Sequence, residues 1–233
     1  MNINMVVISS AIHTSSNPLS YSATRSVFTH QQRFEQSVGT VNSVREHIPN
    51  AFIVFIEGTK LDPEYKQILS GIVNYLYEAY ENDTVRERVG GPFKGLGEVA
   101  TMLSYFESPH FRMMRSSGSL HSISKISGRY SINRDFRFEM PNDQSILATI
   151  KYNNKDHHSH VWMSTMFFTV PQAQFDNFIE ALKRTYNHPE LNNGVALEHI
   201  FPNCIKSIGV DIQNKSPFHV GGEYGPWGGY VEH

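Results

Sequence analysis

Three features are scarce in this sequence, and each scarcity excludes a class of protein. Only one of the 233 residues is cysteine, Cys204, so no internal disulfide can form, and we expect a reducing compartment. Charged residues make up 18% of the chain and the net charge is −2, which speaks against a nucleic-acid partner. No apolar run approaches the roughly 20 residues of a membrane span, and the first ten residues lack the basic residue of a secretory signal. We therefore expect a soluble, cytoplasmic protein with no transmembrane segment.

Short catalytic signatures are also missing. The chain contains no G-x-S-x-G nucleophile elbow, no Walker lysine loop and no G-x-G-x-x-G stretch. These absences exclude the common hydrolases, P-loop enzymes and dinucleotide-binding enzymes.

Apolar residues are abundant enough for a sizeable core, at 39% of the chain. The continuous apolar runs at 5–9 and 51–56 predict buried parallel strands, and the spacing of apolar residues between them predicts a helix over 24–46. No repeat, low-complexity tract or composition break marks a linker. The sequence therefore predicts a single domain over residues 1–233.

The remaining segments predict alternating elements and then a change of pattern. Apolar periodicity predicts helices over 62–80, 95–106, 171–185 and 195–201, with a mobile, glycine-rich loop over 81–94 and a loop or short strand over 110–119. Strands are predicted over 123–126, 135–139, 144–152, 161–169 and 205–210. The glycine-rich tail 218–233 is predicted to be a loop that covers another part of the protein. Consecutive strands without helices between them favour a mixed sheet. The predicted fold class is α/β, with a mixed, mostly parallel central sheet flanked by helices.

The stretch 122–133, SISKISGRYSIN, is the most informative one. A short apolar alternation ends at a turn that carries Lys125 and Arg129, two cations at the carboxyl end of a predicted strand, where open α/β sheets bind ligands. Gly128 would let the backbone approach a ligand closely, and an arginine suits phosphate or carboxylate oxygens. The alternative is an ordinary turn in which Arg129 is paired with a neighbouring acid.

Other candidates follow the same logic of strand ends and helix starts. Glu57 ends the second predicted strand, where it could bind a ribose or base, or cap the next helix. Arg25 and Arg33 lie near a helix start that favours anions, although both could be solvated surface residues. Lys94 lies beside two glycines at the start of another helix.

Two further clusters contain groups able to do chemistry. Residues 156–160, Asp-His-His-Ser-His, could ligate a divalent ion, but adjacent residues of an extended chain point in opposite directions, so we favour a hydrophilic hairpin turn. Glu198, in a predicted helix with apolar neighbours, could serve as a base or orient a hydroxyl. A first-turn carboxylate stabilised by the helix dipole is the alternative.

Taken together, these segments resemble a poorly characterised group of bacterial and viral glycosyltransferase-like proteins of the GT-A type. The resemblance covers most of the chain and is carried by Ile48-Pro49-Asn50-Ala51, by Lys94-Gly95-Leu96-Gly97-Glu98, by Lys125-Ile126-Ser127-Gly128-Arg129-Tyr130 and by Leu197-Glu198-His199. It implies a GT-A-like, Rossmann-like sheet that binds a nucleoside-diphosphate sugar at its carboxyl edge. A hexosyltransferase of this kind would pass the sugar to a hydroxyl of a glycan or glycoprotein acceptor, in the host cytoplasm if the protein is viral.

The resemblance also implies roles for individual residues. Glu198 would be the catalytic base, and Ser9, Ser10, Thr14 and Glu57 would contact the nucleoside. The diphosphate and the donor would be bound by the remaining candidates, Arg33, Lys94, Glu98, Lys125, Ser127, Gly128, Arg129 and Tyr130.

The chain departs from the family pattern at the metal site. Many such enzymes hold Mn²⁺ or Mg²⁺ with an Asp-x-Asp, and this chain has none. Either Lys125 and Arg129 replace the metal ion, which we favour, or Asp156, His158 and His160 supply a site. His219 matches, in part, a histidine of the tail of glycogenin-type transferases. Two other functions remain open, a non-catalytic module that binds nucleotide sugars or carbohydrates, and a metal-dependent hydrolase built on residues 156–160.

Overall fold

A seven-stranded sheet forms the centre of the computed structural model, which describes residues 2–153 and 160–233. Its strands, in spatial order, are β3 (Tyr75–Glu78), β2 (Ala51–Glu57), β1 (Ile3–Ser10), β4 (Leu120–Ser127), β7 (His160–Pro171), β6 (Ser145–Asn153) and β8 (Asp211–Asn214). Strands β3, β2, β1 and β4 are parallel neighbours, β7 is antiparallel to both β4 and β6, and β8 is parallel to β6. The predicted fold class, a mixed and mostly parallel sheet between helices, is confirmed.

A smaller antiparallel sheet joins the tail to the middle of the chain. It consists of β5 (Tyr130–Ile132), β9 (Val220–Glu223) and β10 (Tyr230–Glu232), with β9 in the centre. The tail is therefore only partly the loop that its glycines suggested, because β9 pairs with β5, directly after the turn at Gly128 and Arg129, and β10 pairs with β9.

Helices cover both faces of the large sheet. They are α1 (His30–His47), α2 (Pro63–Ile72), α3 (Asp83–Gly90), α4 (Lys94–Phe106), α5 (Pro109–Ser116), α6 (Phe175–Tyr186), α7 (Pro189–Asn192) and α8 (Leu197–Ser207), with 3-10 turns at Ala79–Glu81 and Gln172–Gln174. Alternate residues of β1 enter different cores: Met5 and Val7 pack with α4, α6 and α8, whereas Val6 and Ile8 pack with α1 and α2. None of the described helices combines the length and apolarity needed to cross a bilayer.

The start of α1 shows why one predicted boundary was wrong. The helix begins six residues later than the predicted residue 24, because Thr29 caps it. The Thr29 side chain accepts from the backbone of Gln32 at 3.2 Å, and the Gln32 side chain accepts from the backbone of Thr29 at 2.9 Å. This reciprocal box satisfies two backbone donors that would otherwise be unpaired. Arg25 therefore lies in the preceding loop, and Arg33 lies in the first turn of the helix.

Several other predicted elements were also wrong. The predicted helix 62–80 ends at Ile72, and Tyr75–Glu78 forms β3 because this segment finds an open edge of β2. The loop predicted over 81–94 contains α3, and the segment 110–119 lies largely in α5. The predicted strand 135–139 does not form, and the residues predicted as strand 205–210 end α8, with β8 following them.

The sheet order creates a switch point between β1 and β4. From β1 the chain builds β2 and β3 on one side, and it then crosses to β4 on the other side. The ends of β1 and β4 are level, since Ser9 is in register with Ser127. A crevice outside the carboxyl ends of the strands at such a point is where open α/β sheets bind ligands.

The aromatic core on the α4 face should dominate stability. Phe178 is fully buried, and its ring contacts Phe106, Phe168 and Phe201 at centroid distances of 5.2, 5.7 and 6.2 Å. We expect Phe178→Ala to lower the free energy of unfolding in urea by about 3–5 kcal/mol, because it leaves a cavity among these rings. The matched control Met113→Ala, at a side chain that is 60% exposed, should change it by less than about 0.5 kcal/mol. Equal losses in the two variants would contradict the burial of this ring.

Candidate functional site

A pocket lies at the carboxyl ends of β1 and β4 and encloses about 840 Å³, part of it open to solvent. Its walls come from the ends of the two strands, the loop after β1, the starts of α1 and α4, the end of α3 and the tail. The lining residues are Ser9, Ser10, Ala11, Thr14, Arg25, Arg33, Val89, Lys94, Gly97, Glu98, Thr101, Ser127, Gly128, Arg129, Gly225 and Pro226. We refer to this site as the first pocket. Nine of the candidate residues from the sequence are brought together here: Ser9, Ser10, Thr14, Arg33, Lys94, Glu98, Ser127, Gly128 and Arg129.

Four cations line the first pocket: Arg25, Arg33, Lys94 and Arg129. Among the ion pairs of residues 2–153 and 160–233, none joins any of these four to a carboxylate. Burial is the main cause that lowers the pKa of Arg33, to about 9, and the neighbouring guanidinium of Arg129 is the next. The same two causes, in the same order, lower the pKa of Lys94 from its ordinary value. The pocket therefore concentrates positive charge that a bound anion would neutralise.

The arginines are held in place by neutral oxygen acceptors. Arg33 donates to the Ala11 carbonyl at 2.8 Å, and Arg129 donates to the Glu223 carbonyl at 3.0 Å. Arg25 donates through Nη1 to the Val89 carbonyl at 3.0 Å and through Nη2 to the Gly91 carbonyl. These contacts fix the guanidinium groups without cancelling their charge, which is the arrangement an anion site needs.

Lys125 does not line the first pocket. Its side chain is 1% exposed, and its ammonium donates to Glu98, to Ser127 Oγ at 2.7 Å and to the Thr165 carbonyl. Residue 125 shares a face of β4 with Ile123, which packs in the core on the α4 side, so its side chain reaches Glu98 beneath the pocket floor. The expectation that Lys125 contacts the diphosphate directly is corrected by this burial.

Glu98 lies between Lys125 and the first pocket. Burial alone would raise the pKa of this carboxyl, but the ammonium groups of Lys125 and Lys94, together with Arg129, outweigh it and hold the pKa below its ordinary value. Glu98 is therefore an ionised group whose charge is already balanced from below by Lys125, and it leaves the four pocket cations largely unopposed.

Two other candidates are buried behind the site. Glu57 is fully buried and accepts from the backbone of Ile12 at 3.0 Å and of Thr59 at 2.9 Å, so it shapes the loop after β1 and does not line the pocket. Burial raises the pKa of Glu57 despite these hydrogen bonds. Tyr130 is 4% exposed and packs in the core on the α1 side, although Arg129 lies 5.7 Å from its ring centroid.

Glycine is required where the backbone forms the floor of the first pocket. A Cβ at residue 128 would lie 3.0 Å from the Cβ of Ser10, and one at residue 97 would lie 2.9 Å from the Arg88 carbonyl. The Gly128 amide donates to the Ser9 carbonyl at 2.9 Å, and Ser37 Oγ donates to the Gly128 carbonyl at 2.9 Å. The ends of β1 and β4 and the helix α1 are thus joined directly under the site.

A second pocket, of about 880 Å³, adjoins the first one and shares Lys94 and Glu98 with it. It is lined by Ser20, Tyr21, Phe93, Lys94, Gly95, Glu98, Leu191, Gly194, Val195, Ala196, Leu197, Glu198, Tyr224 and Trp227. Glu198, in the first turn of α8, accepts from Thr165 Oγ1 at 2.9 Å. The candidate base thus lies in the neighbouring pocket, which shares Lys94 with the first pocket but is not lined by Arg25, Arg33 or Arg129.

The candidate metal ligands are not assembled in the described part of the chain. Asp156, His157 and His158 lie outside the described residues, and so does the side chain of His160. His219 lines neither pocket and lies 3.7 Å from Glu232 at the edge of the small sheet. Within residues 2–153 and 160–233, no group of three histidine, cysteine or acidic side chains is arranged to hold a metal ion.

Sequence reasoning named Arg25 without giving it a role in the site, and it missed the aromatic wall of the second pocket. The sequence leaves Arg25 open between an anion contact and a solvated residue, and its serine- and proline-rich surroundings give no sign of the carbonyl groups at the end of α3 that hold it. The aromatic residues of the tail, Tyr224 and Trp227, were visible as a composition bias, but their position beside Glu198 depends on long-range pairing of β9 with β5.

Comparisons with known proteins bear on the fold. No protein-family model matches the chain, and no curated protein matches its sequence. The solved structure of the nucleoside-diphosphate-sugar pyrophosphorylase from Vibrio cholerae RC9 is similar, with a TM-score of 0.50 and 14% identity, over 93% of each chain. The glycosyltransferase GlyE of Streptococcus pneumoniae TIGR4 gives TM-scores of 0.49 and, in its apo form, 0.47, at 8% and 10% identity. This chain spans only 46% of the GlyE chain in both matches. The likeness to the V. cholerae protein supports the mixed α/β fold.

The ion pair beneath the first pocket gives a stability prediction. Lys125→Met should lower the free energy of unfolding by about 3–5 kcal/mol, because it leaves Glu98 without its buried partner. The double variant Lys125→Met/Glu98→Gln should recover most of this loss, since neither charge then remains. Urea unfolding of both variants and the native protein measures the difference.

The loss should also depend on pH. Because the folded-state pKa of Glu98 lies below the ordinary 4.5, the pair stabilises the fold fully above pH 4.5, and its contribution disappears as the pH falls through the folded-state value. The effect of Lys125→Met should therefore be smaller at about pH 3 than at about pH 7. A loss that is independent of pH, and is not recovered in the double variant, would contradict the pairing.

Proposed function

We propose that this protein is a GT-A-type glycosyltransferase that binds a nucleoside-diphosphate sugar in the first pocket and an acceptor hydroxyl in the second. The observation that carries the proposal is the junction of the two pockets. Four cations that have no carboxylate partner among the described residues line one pocket, and one of them, Lys94, also lines the neighbouring pocket next to Glu198. A group with several negative charges can thus be bound within reach of a carboxylate.

A diphosphate suits the first pocket by charge and by shape. Guanidinium groups bind phosphate oxygens in pairs of parallel hydrogen bonds, and Arg33 and Arg129 are already fixed by carbonyl groups. At the floor, Gly128 packs directly against Ser10, so the two strand ends form a closed surface below a bound group. The nucleoside would extend along Ser9, Ser10 and Thr14, and Glu57 would act on it only through the loop that it holds.

The residues of the first pocket do not fit a divalent metal ion. Mn²⁺ and Mg²⁺ prefer carboxylate oxygens, and among the described residues that line this pocket Glu98 is the one carboxylate. The negative charge of Glu98 is already paired with the ammonium of Lys125, which is buried directly below it. We therefore propose that the cations of the pocket neutralise the charge on the departing diphosphate. This is electrostatic stabilisation by fixed groups.

Glu198 would act as the general base in an inverting reaction. Its carboxylate would take the proton of the acceptor hydroxyl while the acceptor oxygen bonds to the anomeric carbon and the bond from that carbon to the diphosphate oxygen breaks. Thr165 Oγ1 donates to Glu198 and fixes one of its oxygens. The products would be the glycosylated acceptor, a nucleoside diphosphate and a proton on Glu198.

Two other functions make different predictions for the same protein. A non-catalytic module would bind nucleotide sugars without transfer or hydrolysis. A pyrophosphorylase, the activity for which the V. cholerae protein is named, would join a sugar 1-phosphate to a nucleoside triphosphate and release pyrophosphate. Assays of diphosphate release and of pyrophosphate release, run on the same preparation, separate the three. A further alternative, the metal-dependent hydrolase based on residues 156–160, would require stoichiometric metal in the purified protein.

Donor binding gives the first test. In calorimetric titrations with UDP-, GDP- and dTDP-sugars, we expect binding by at least one donor, in EDTA as well as with Mn²⁺. Arg129→Gln should weaken it by about 10- to 100-fold, because a charge-assisted hydrogen bond to phosphate is lost. Arg112→Gln is the matched control, since this exposed arginine of α5 lines neither pocket. Binding that requires Mn²⁺ and is indifferent to Arg129 would overturn the assignment.

Catalysis gives the second test. Glu198→Gln should slow transfer or donor hydrolysis by about 10²- to 10⁴-fold, because the variant cannot accept a proton. Donor affinity should stay unchanged, since Glu198 does not line the first pocket. Initial rates of diphosphate release, compared with calorimetric affinities, separate the two effects. A variant with native rates would exclude Glu198 as the base.

A further inference from the structure

We infer that the second pocket binds a pyranose ring, so that the acceptor of the proposed reaction is a carbohydrate. The identification of this sugar as the acceptor rests on the proposed function. The binding of a pyranose by the second pocket does not depend on sugar transfer. It is carried by three aromatic side chains, Tyr21, Tyr224 and Trp227, which line the same pocket as two carboxylates, Glu98 and Glu198.

The aromatic rings form a platform that solvent reaches. The rings of Tyr224 and Trp227 are stacked, with centroids 5.0 Å apart and planes at 19°, and Tyr21 lies 6.3 Å from Trp227. Trp227 is 66% exposed and Tyr21 is 47% exposed. Large aromatic surfaces that remain exposed beside a pocket mark a binding surface, because burying them in water-free contact is favourable.

The platform is held in a fixed position relative to the first pocket. The turn that carries it is closed by hydrogen bonds of 2.7 Å from the Tyr224 amide to the Gly229 carbonyl and from the Gly228 amide to the Tyr224 carbonyl. The Gly225 carbonyl accepts from the Val27 amide at 2.9 Å, and a Cβ at residue 225 would lie 2.8 Å from Nη1 of Arg129. An aromatic group built on such a turn is preorganised and loses little entropy on binding.

The polar side of the pocket selects among ligands that could use an aromatic platform. Glu98 is neutralised by Lys125, and the ammonium of Lys94 already lies 5.6 Å from the centroid of the Tyr224 ring. A cationic ligand would therefore meet a cation at the ring, and an anionic ligand would meet Glu198. A neutral ring with an apolar C–H face and hydroxyl groups at its edge matches aromatic walls combined with acceptors and a donor.

The experiment follows the indole resonances of the ¹⁵N-labelled protein. The chain has two tryptophans, Trp162 and Trp227, and Trp227→Phe assigns their two signals. A panel of methyl pyranosides is titrated alone and with saturating UDP, GDP or dTDP. We expect at least one pyranoside to shift the Trp227 signal saturably, with half-saturation in the millimolar range. The Trp162 signal should stay in place, because its ring lies against His233, outside both pockets.

Variants show whether the platform itself binds the sugar. Tyr224→Ala should weaken the titration about tenfold or more, because the stacked ring is lost. Tyr230→Ala is the matched control, since this tyrosine of the same tail is 62% exposed and lines neither pocket, and it should leave the titration unchanged.

Three outcomes would overturn the inference: no shift of the Trp227 signal by any pyranoside, with or without nucleotide; a shift with choline; or a shift with a serine-containing peptide in place of the sugars. The fate of the proposed function is read separately from the donor titrations. A Trp227 shift with pyranosides in a protein that binds no nucleotide sugar would keep the carbohydrate site and remove the glycosyltransferase.

Discussion

The buried ion pair between Lys125 and Glu98 is the interaction on which the site depends. It joins β4, in the centre of the sheet, to the first turns of α4, and it lies directly beneath the first pocket. Burying two charges costs desolvation energy, so such a pair adds little to stability compared with apolar side chains of the same size. Its main effect is on the pocket. The carboxylate of Glu98 could have neutralised Lys94 and Arg129, but it is paired with Lys125 beneath the pocket. The positive potential of the pocket thus depends on this pairing as well as on the cations themselves.

Topology explains why these groups meet. The reversal of strand order between β1 and β4 leaves a crevice outside the ends of these strands, and residues that follow the two strands line it. The helices that start beside the crevice, α1 and α4, bring Arg33 and Lys94 with their first turns. Positions that are distant in the sequence, such as Ser10 and Gly128, become neighbours because both strands end at the same level.

The sequence predicted those parts of the fold and site that follow from strand ends. The central strands were predictable because runs such as 51–56 are continuously apolar, and pocket residues such as Ser10 and Arg129 were predictable because they directly follow predicted strands. Strand β3 was not, since Tyr75–Glu78 continues an apolar stripe that also fits a helix, and only the open edge of β2 decides between them. The sequence showed two cations in 122–133 but not which one is paired, because Glu98 reaches Lys125 from a helix 27 residues earlier. The aromatic platform likewise depends on pairing between distant segments.

The tail contributes Gly225 and Pro226 to the lining of the first pocket, and this has a consequence for how the chain folds. Arg129 is fixed by the carbonyl of a residue 94 positions later, and β5 pairs with β9 across a similar interval. Contacts of such long sequence separation require the closure of a large loop and carry a high entropic cost until the intervening domain is folded. The anion site is therefore completed only when the tail has docked. Any ligand that spans the cations and the tail binds the docked form alone, and it shifts the folding equilibrium towards a closed C-terminal segment by mass action.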